Sequence, residues 1–231
     1  MITVQGVNKT FLRGSRQVNA VSDAVLSLEQ GERVFIHGPS GAGKSTLLQI
    51  MGGLNKPSSG SVVYDGTDIY RISDRKRSYL RSSKIGFVFQ FYHLLGELTV
   101  LENVMMPGRI KGGIRKKKLK ERALYLLDTV GMTGRIKHKP SQLSGGEVQR
   151  TAIARGLINS PEVLFCDEPT GNLDSAMSEQ IYKLILEVSE QEKMGVVVVS
   201  HQGIIEGFFQ SKYFMKDGNI EKMSEFQGAK I

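Results

Sequence analysis

The sequence predicts an α/β fold: a mixed β-sheet core, an antiparallel β part at its N-terminal side and a helical subdomain inserted in its middle. Three observations carry this. Ile85-Gly-Phe-Val-Phe, Val163-Leu-Phe-Cys and Val196-Val-Val-Val are continuous apolar runs, as strands are when helices cover both faces of a parallel sheet. Residues 1–35 instead hold short apolar runs between polar turns, and Asp-Gly pairs at 65–66 and 217–218 signal hairpins. From about Thr99 to Ser160 the apolar spacing turns helical. The expected organisation is one domain over 1–231, with residues 1–90 and 161–231 as the α/β core and about 91–160 as the helical subdomain.

Taken in order, the first runs are Ile2, Val4 and Val7, then Val18, Val21, Val25, Leu26 and Leu28. Arg33-Val-Phe-Ile-His reads as a short buried strand and Leu47-Leu-Gln-Ile-Met as a helix. Between them stands Gly38-Pro39-Ser40-Gly41-Ala42-Gly43-Lys44-Ser45-Thr46. Strand, glycine loop and helix in that order turn G-x-x-x-x-G-K-[ST] into the phosphate-binding loop of a P-loop NTPase core. The glycines let successive backbone N–H groups close around phosphate oxygens, and the helix N-terminus adds its partial positive charge. Lys44 is placed to reach the β- and γ-phosphates and the Ser45 hydroxyl to ligate Mg²⁺. Further on, Leu119, Ala123, Leu126, Leu127 and Val130 share one helix face, ended by Gly131. Ser144 with Glu147 three residues on is a capping box, so a helix is expected from Gly145 to about Asn159, ended by Pro161.

Composition narrows the class. A chain of 231 residues with 40% hydrophobic and 23% charged residues is ordinary for a soluble globular domain. One cysteine, Cys166, excludes an internal disulfide framework. No apolar run has the length of a membrane span, and the N-terminus lacks the build of a signal peptide, so a cytosolic chain is expected. The net charge of +8 is uneven. Residues 71–84 hold six cations against Asp74, and residues 109–122 hold eight against Glu121. Such clusters suit nucleic acid or anionic headgroups, or a solvated helix face beside a basic loop.

The apolar run at 163–166 delivers Asp167 and Glu168 at a strand end, where ligands bind in open α/β sheets. Asp167 suits the outer Mg²⁺ sphere, and Glu168 suits a base that orients or deprotonates the attacking water. His201, after the run at 196–199, is placed to hydrogen-bond the γ-phosphate and hold Glu168 and water in line. Gln90, at a third strand end, can touch Mg²⁺ or the water. Leu143-Ser144-Gly145-Gly146-Glu147 is a second anion-binding helix start. One chain needs only one such site for a triphosphate, so the second makes sense closing on the nucleotide of another copy.

These ordered motifs resemble the ATP-binding cassette family over nearly the whole chain. Residues 38–46 look like its Walker A loop, Gln90 its Q-loop glutamine and Leu143-Ser-Gly-Gly-Glu its signature. Asp167 and Glu168 look like the Walker B pair, Gly171-Asn-Leu-Asp174 the D-loop and His201 the switch histidine. The resemblance implies an ABC nucleotide-binding domain that hydrolyses ATP with Mg²⁺ as a head-to-tail dimer. Each ATP would lie between one chain's Walker A and the other's signature, with Asp174 beside it. Phe11 falls where the family stacks an aromatic ring on adenine, the alternative being a core Phe at a strand edge.

Phe89-Gln-Phe-Tyr-His-Leu-Leu-Gly-Glu-Leu-Thr-Val-Leu-Glu-Asn-Val, followed by Met106-Pro107, resembles one branch. That branch contains the lipoprotein-release, macrolide-export and cell-division ATPases, and the Glu-Asn-Val-x-Met-Pro ending favours lipoprotein release. Gly96, Val148 and Gln202 depart from its pattern without touching the catalytic set. The resemblance implies transmembrane permease subunits as partners, whose coupling helix enters a groove formed after Gln90. It implies a place at the cytoplasmic face of the inner membrane, held through those subunits, and no direct nucleic-acid partner. A soluble cassette acting on nucleic acid is the alternative from another class, favoured by the basic clusters alone.

Overall fold

The structure, a computed structural model, describes residues 1–14, 16–171, 173–201 and 208–223; Asn172 and Gln202 lie outside them. The chain opens with two long antiparallel strands, β1 (Ile2–Arg13) and β2 (Arg16–Leu28), then β3 (Arg33–His37) and helix α1 (Lys44–Met51). Next come β4 (Ser59–Tyr64), β5 (Thr67–Asp68), α2 (Asp74–Lys84) and β6 (Ile85–Val88). Three helices follow, α3 (Val100–Lys111), α4 (Lys116–Thr129) and α5 (Gly145–Leu157). The chain returns through β7 (Val163–Asp167), α6 (Ser175–Gln191), β8 (Gly195–Ser200), β9 (Ser211–Lys216) and β10 (Asn219–Lys222).

Among the described residues the strands form two sheets. One is antiparallel, in the order β2-β1-β4-β5; the other runs β10-β9-β3-β8-β7-β6. In the second, β9, β3, β8, β7 and β6 are parallel and β10 alone is antiparallel. The continuous apolar runs are its central strands, and alternate residues feed two cores. Phe35, Leu164, Cys166, Val196 and Val198 point to the side covered by α3, α4, α5 and α6. Val34, Ile36, Val163, Phe165, Val197 and Val199 pack with α1 and the antiparallel sheet. A strand buried on both faces has no polar position to spare, which is why these runs carry no period.

Local chemistry sets the boundaries. Both Asp-Gly turns have two left-handed residues, φ 45° and 80° at Asp65 and Gly66, and 49° and 84° at Asp217 and Gly218, the geometry that matches strand twist. Thr99 with Glu102 and Ser144 with Glu147 form full capping boxes on α3 and α5, while Gly131 at φ 71° follows α4. Leu119, Ala123, Leu126, Leu127 and Val130 are all buried.

Three local expectations shift. α5 ends at Leu157 rather than about Asn159, because Ser160 turns left-handed, φ 52°, before Pro161 is reached. α1 starts at Lys44, inside the glycine loop. Helices α2 and α6 have no counterpart in the sequence expectation: α2 has no buried residue, while α6 buries a face through Ile181, Tyr182, Ile185 and Val188 that the sequence expectation omits.

Candidate nucleotide site

The loop of residues 38–46 joins β3 to α1, and its shape is forced by its neighbours. A Cβ at Gly38 would stand 1.9 Å from the Met215 carbonyl oxygen, and one at Gly43 1.9 Å from that of Ala20. Gly43 also caps α1 at φ 104°, in the left-handed region. The loop is thus pressed between β2 and the β9–β10 hairpin, with Gly218 donating its N–H to the Ala42 oxygen. Pro39, Ser40 and Gly41 are exposed at its tip, and Thr46 is half-buried behind it.

Lys44 is buried and folds over the loop. Its Nζ donates to the Gly38 and Pro39 oxygens at 2.8 and 2.9 Å and lies 3.6 Å from Glu168 Oε1. The Ser45 hydroxyl donates to Asp167 Oδ1 at 2.7 Å. Only β8 separates β3 from β7 in the sheet, so the loop after one strand reaches the acids at the end of the other. Burial lifts the Asp167 carboxyl above its ordinary range; the Ser45 hydrogen bond and Lys44 oppose this, and Glu168 adds to it.

Glu168 is a left-handed residue, φ 47°, and is 8% exposed. Its N–H extends the sheet ladder to the Val199 oxygen, while Oε2 sits 2.8 Å from His201 Nδ1 and accepts from the His201 N–H at 3.3 Å. The strained backbone aims the carboxylate back over the loop. A cleft of about 320 Å³ is lined by residues 40–46, Gln90, Glu168, His201 and Ala20. This arrangement can bind phosphates on N–H groups and a cation, and can hold a water against a carboxylate.

The remaining site expectations separate from this cleft. Phe11 is 40% exposed and sits under Lys9 Nζ at 4.9 Å, so it is not a core side chain. It pairs with Val18, two residues from the cleft-lining Ala20. Ser144, Gly145, Gly146 and Glu147 do not line the cleft. Ser144 and Gly145 are exposed at the start of α5, and Gly146 is packed tightly, a Cβ there lying 2.8 Å from Met177 Sδ. Asp174 caps α6, accepting from the Met177 N–H at 2.8 Å.

Both Glu147 carboxylate oxygens are occupied, one by Arg135 Nε at 2.8 Å and one by the Ser144 N–H at 2.8 Å. Glu147 therefore braces the helix start rather than presenting its carboxylate to an anion. Arg135 first, then Ser144, hold its carboxyl down at about 2. Its ordinary range is near ~4.3. The depressed value means that this brace is complete above the ordinary range and is lost as pH falls from there toward about 2. Arg135→Ala is expected to return the Glu147 titration toward the ordinary range, readable by side-chain NMR; an unchanged titration would remove Arg135 as the main cause.

Two contributors carry no sequence signal. Ala20 supplies a cleft wall from a strand that reads only as β. Arg155, on α5, donates to the His93 and Tyr92 oxygens, both at 2.5 Å. Those two residues are left-handed, φ 50° and 56°, so one arginine ties the segment after Gln90 to the helix that begins at Ser144.

The profile of the family described as ABC transporter matches residues 21–171. Over 212 residues the chain is 47% identical to a lipoprotein-releasing system ATP-binding protein LolD of Bdellovibrio bacteriovorus, covering 92% of this chain and 96% of that one. The chain belongs to the ABC transporter family. This ABC cassette is also 45% identical to a LolD of Bacteroides thetaiotaomicron over 222 residues, 96% of this chain and all 100% of the other. A dimeric structure of MJ0796, a bacterial ABC transporter cassette, superposes with a TM-score of 0.88 at 40% identity, covering 98% of this cassette and 100% of that chain. A second dimer, a post-hydrolysis state bound to ADP and Pi, gives 0.88 at 39% over 98% and 100%. The chain is an ABC ATPase: it binds ATP and hydrolyses it. Among its described residues no helix is long and apolar enough to cross a membrane.

Proposed function

We propose that two copies of this cassette close head to tail on two ATP molecules and thereby drive the transmembrane subunits of a lipoprotein-release-type complex. The observation that carries the reading is the incomplete cleft. Residues 40–46, Gln90, Glu168 and His201 line it, while the exposed helix start at Ser144 and Gly145 lies outside. A second copy supplies Ser144, Gly145 and Gly146 to the open side, with Asp174 at the seam and Phe11 under the adenine.

The geometry of the cleft supports a division of roles. Backbone N–H groups of residues 38–46 and Lys44 hold the phosphates, for which Lys44 leaves the Gly38 and Pro39 oxygens. Glu168, oriented by His201 and its own left-handed backbone, accepts a proton from the attacking water, and Gln90 positions that water. The Ser45 hydroxyl and Asp167 carboxylate, 2.7 Å apart, are hard oxygen groups of the kind that hold Mg²⁺ together with waters and phosphate oxygens. Among the described residues no group of three His, Cys, Asp or Glu side chains could hold a metal ion, so Ser45 and Asp167 would hold Mg²⁺ together with oxygens from outside the chain. When bound it neutralises charge on the phosphates.

A second groove, about 720 Å³, is lined by Phe87, Phe89, His93, Leu95, Met106 and Tyr79 among others. It begins where Arg155 clamps the segment after Gln90, and we assign it to a helix of a membrane subunit, with the cassette held at the cytoplasmic membrane face through that subunit. The relatives named for lipoprotein release favour that system over macrolide export or cell division. The half-site is tested by concentration: turnover per chain is expected to rise with protein concentration until dimers saturate, and apparent ATP affinity to rise with it, because ATP and dimerisation are linked. Full turnover at concentrations where the chain is monomeric would overturn it.

A further inference from the structure

The groove assigned above to a membrane subunit runs into a corner of different chemistry. α3 leaves through Arg109, Ile110 and Lys111, turns at Gly112 and Gly113, φ 72° and 77°, and passes Ile114 and Arg115 into α4 at Lys116. Residues 109–122 hold eight cations against the single acid Glu121. Among the described residues Arg122 is ion-paired, to Glu192 Oε2 at 2.5 Å, and the other seven form no ion pair. Arg115, Lys116, Lys117, Lys118 and Lys120 are exposed. Among the described residues no ion pair offsets their mutual repulsion, and an anionic surface would turn it into attraction.

Charge is only half of the corner. Ile110 is 76% exposed and Ile114 45%, and the two flank the glycine turn. Ile110 and Lys111 also line the groove, beside Tyr79, which is 67% exposed. Residues 109–122 contain no aromatic side chain on which a base could stack. Clustered lysines framing exposed aliphatic side chains match the boundary between phosphate headgroups and acyl chains.

We propose that the α3–α4 corner rests directly on anionic phospholipid headgroups, with its lysines against the phosphates and Ile110 and Ile114 entering the acyl boundary. The inference extends the membrane-subunit reading of the adjacent groove. It gives the cassette a second attachment to the bilayer, made by its own side chains.

The test is sedimentation of the full chain with vesicles of phosphatidylcholine alone or of phosphatidylcholine with phosphatidylglycerol. The expected result is partition onto the anionic vesicles only, weakening as salt shortens the screening length. Lys116→Gln, Lys117→Gln and Lys118→Gln together lower that partition roughly a hundredfold, about fivefold for each cation near the surface. Ile110→Ser with Ile114→Ser also lowers it, at unchanged charge. ATP turnover in solution stays at its original level in both variants, which shows that they are folded. Equal binding to neutral vesicles, no binding to either kind, or an unchanged triple-lysine variant would overturn the proposal. So would RNA or DNA that displaces the chain from vesicles by binding the same lysines more tightly. Co-purification of a permease-type subunit from detergent extracts separates the two readings. Its failure removes the groove assignment and leaves the vesicle result standing, while vesicle failure with intact co-purification removes this inference alone.

Discussion

Glu168→Gln binds ATP, holds an ATP-dependent dimer and loses turnover by roughly 10²–10⁴-fold, the usual contribution of a positioned general base. The substitution is isosteric, so the left-handed backbone at φ 47° and the N–H bond to the Val199 oxygen are unaffected. What disappears is the charge 3.6 Å from Lys44 Nζ and the ability to take a proton from water. An amide also releases Lys44 from an ion pair, so phosphate binding is not weakened. Size-exclusion chromatography with and without ATP reads the dimer, and phosphate release reads turnover. Hydrolysis at the original rate would defeat the assignment of Glu168 as the base.

Lys44→Ala acts one step earlier. A buried cation that faces phosphates is worth about 2–5 kcal/mol when truncated against its charged partner. ATP affinity should therefore fall roughly 30- to several thousand-fold, with turnover lost as a consequence. The cleanest readout is thermal: ATP raises the melting temperature of the parent chain by binding the folded state, and should raise that of the variant little at the same concentration. Because Lys44 Nζ also bonds the Gly38 and Pro39 oxygens, the variant's own melting temperature is compared first. An unchanged melting temperature with unchanged ATP affinity would remove Lys44 from the phosphate site.

These expectations rest on residues whose placement was legible for different reasons. The loop of residues 38–46 is legible because its chemistry is local: glycines at fixed spacing, a strand before and a helix after. The capping boxes at Thr99 and Ser144 are local in the same sense, each closed within three residues. The acids at Asp167 and Glu168 are legible because an apolar strand must end somewhere and these follow it directly. Less legible were α2, with no buried residue, and the end of α5, decided by the backbone of Ser160. Ala20 and Arg155 are illegible, since each matters through a partner far along the chain. Asp174 and Glu147, expected beside the nucleotide of a closed dimer, also brace helix starts within this chain, a second role with no signal of its own beyond the cap spacing.

By itself the sequence determined the class of this protein and the atoms available to it: a phosphate loop, paired acids, a histidine at a strand end and a second anion-binding helix start. Those signals survive in a string because hydrogen-bond spacing, turn geometry and apolar period act over a few residues. The tertiary structure alone decided which of them meet. Parallel order β3-β8-β7 brings Ser45 to Asp167 at 2.7 Å and His201 to Glu168 at 2.8 Å. The same packing leaves Ser144 and Gly145 outside the cleft, on a helix whose position is fixed by Met177 and Arg155. Which side chains share a cleft depends on contacts such as these, between residues 122 and 33 positions apart, and no local pattern encodes them.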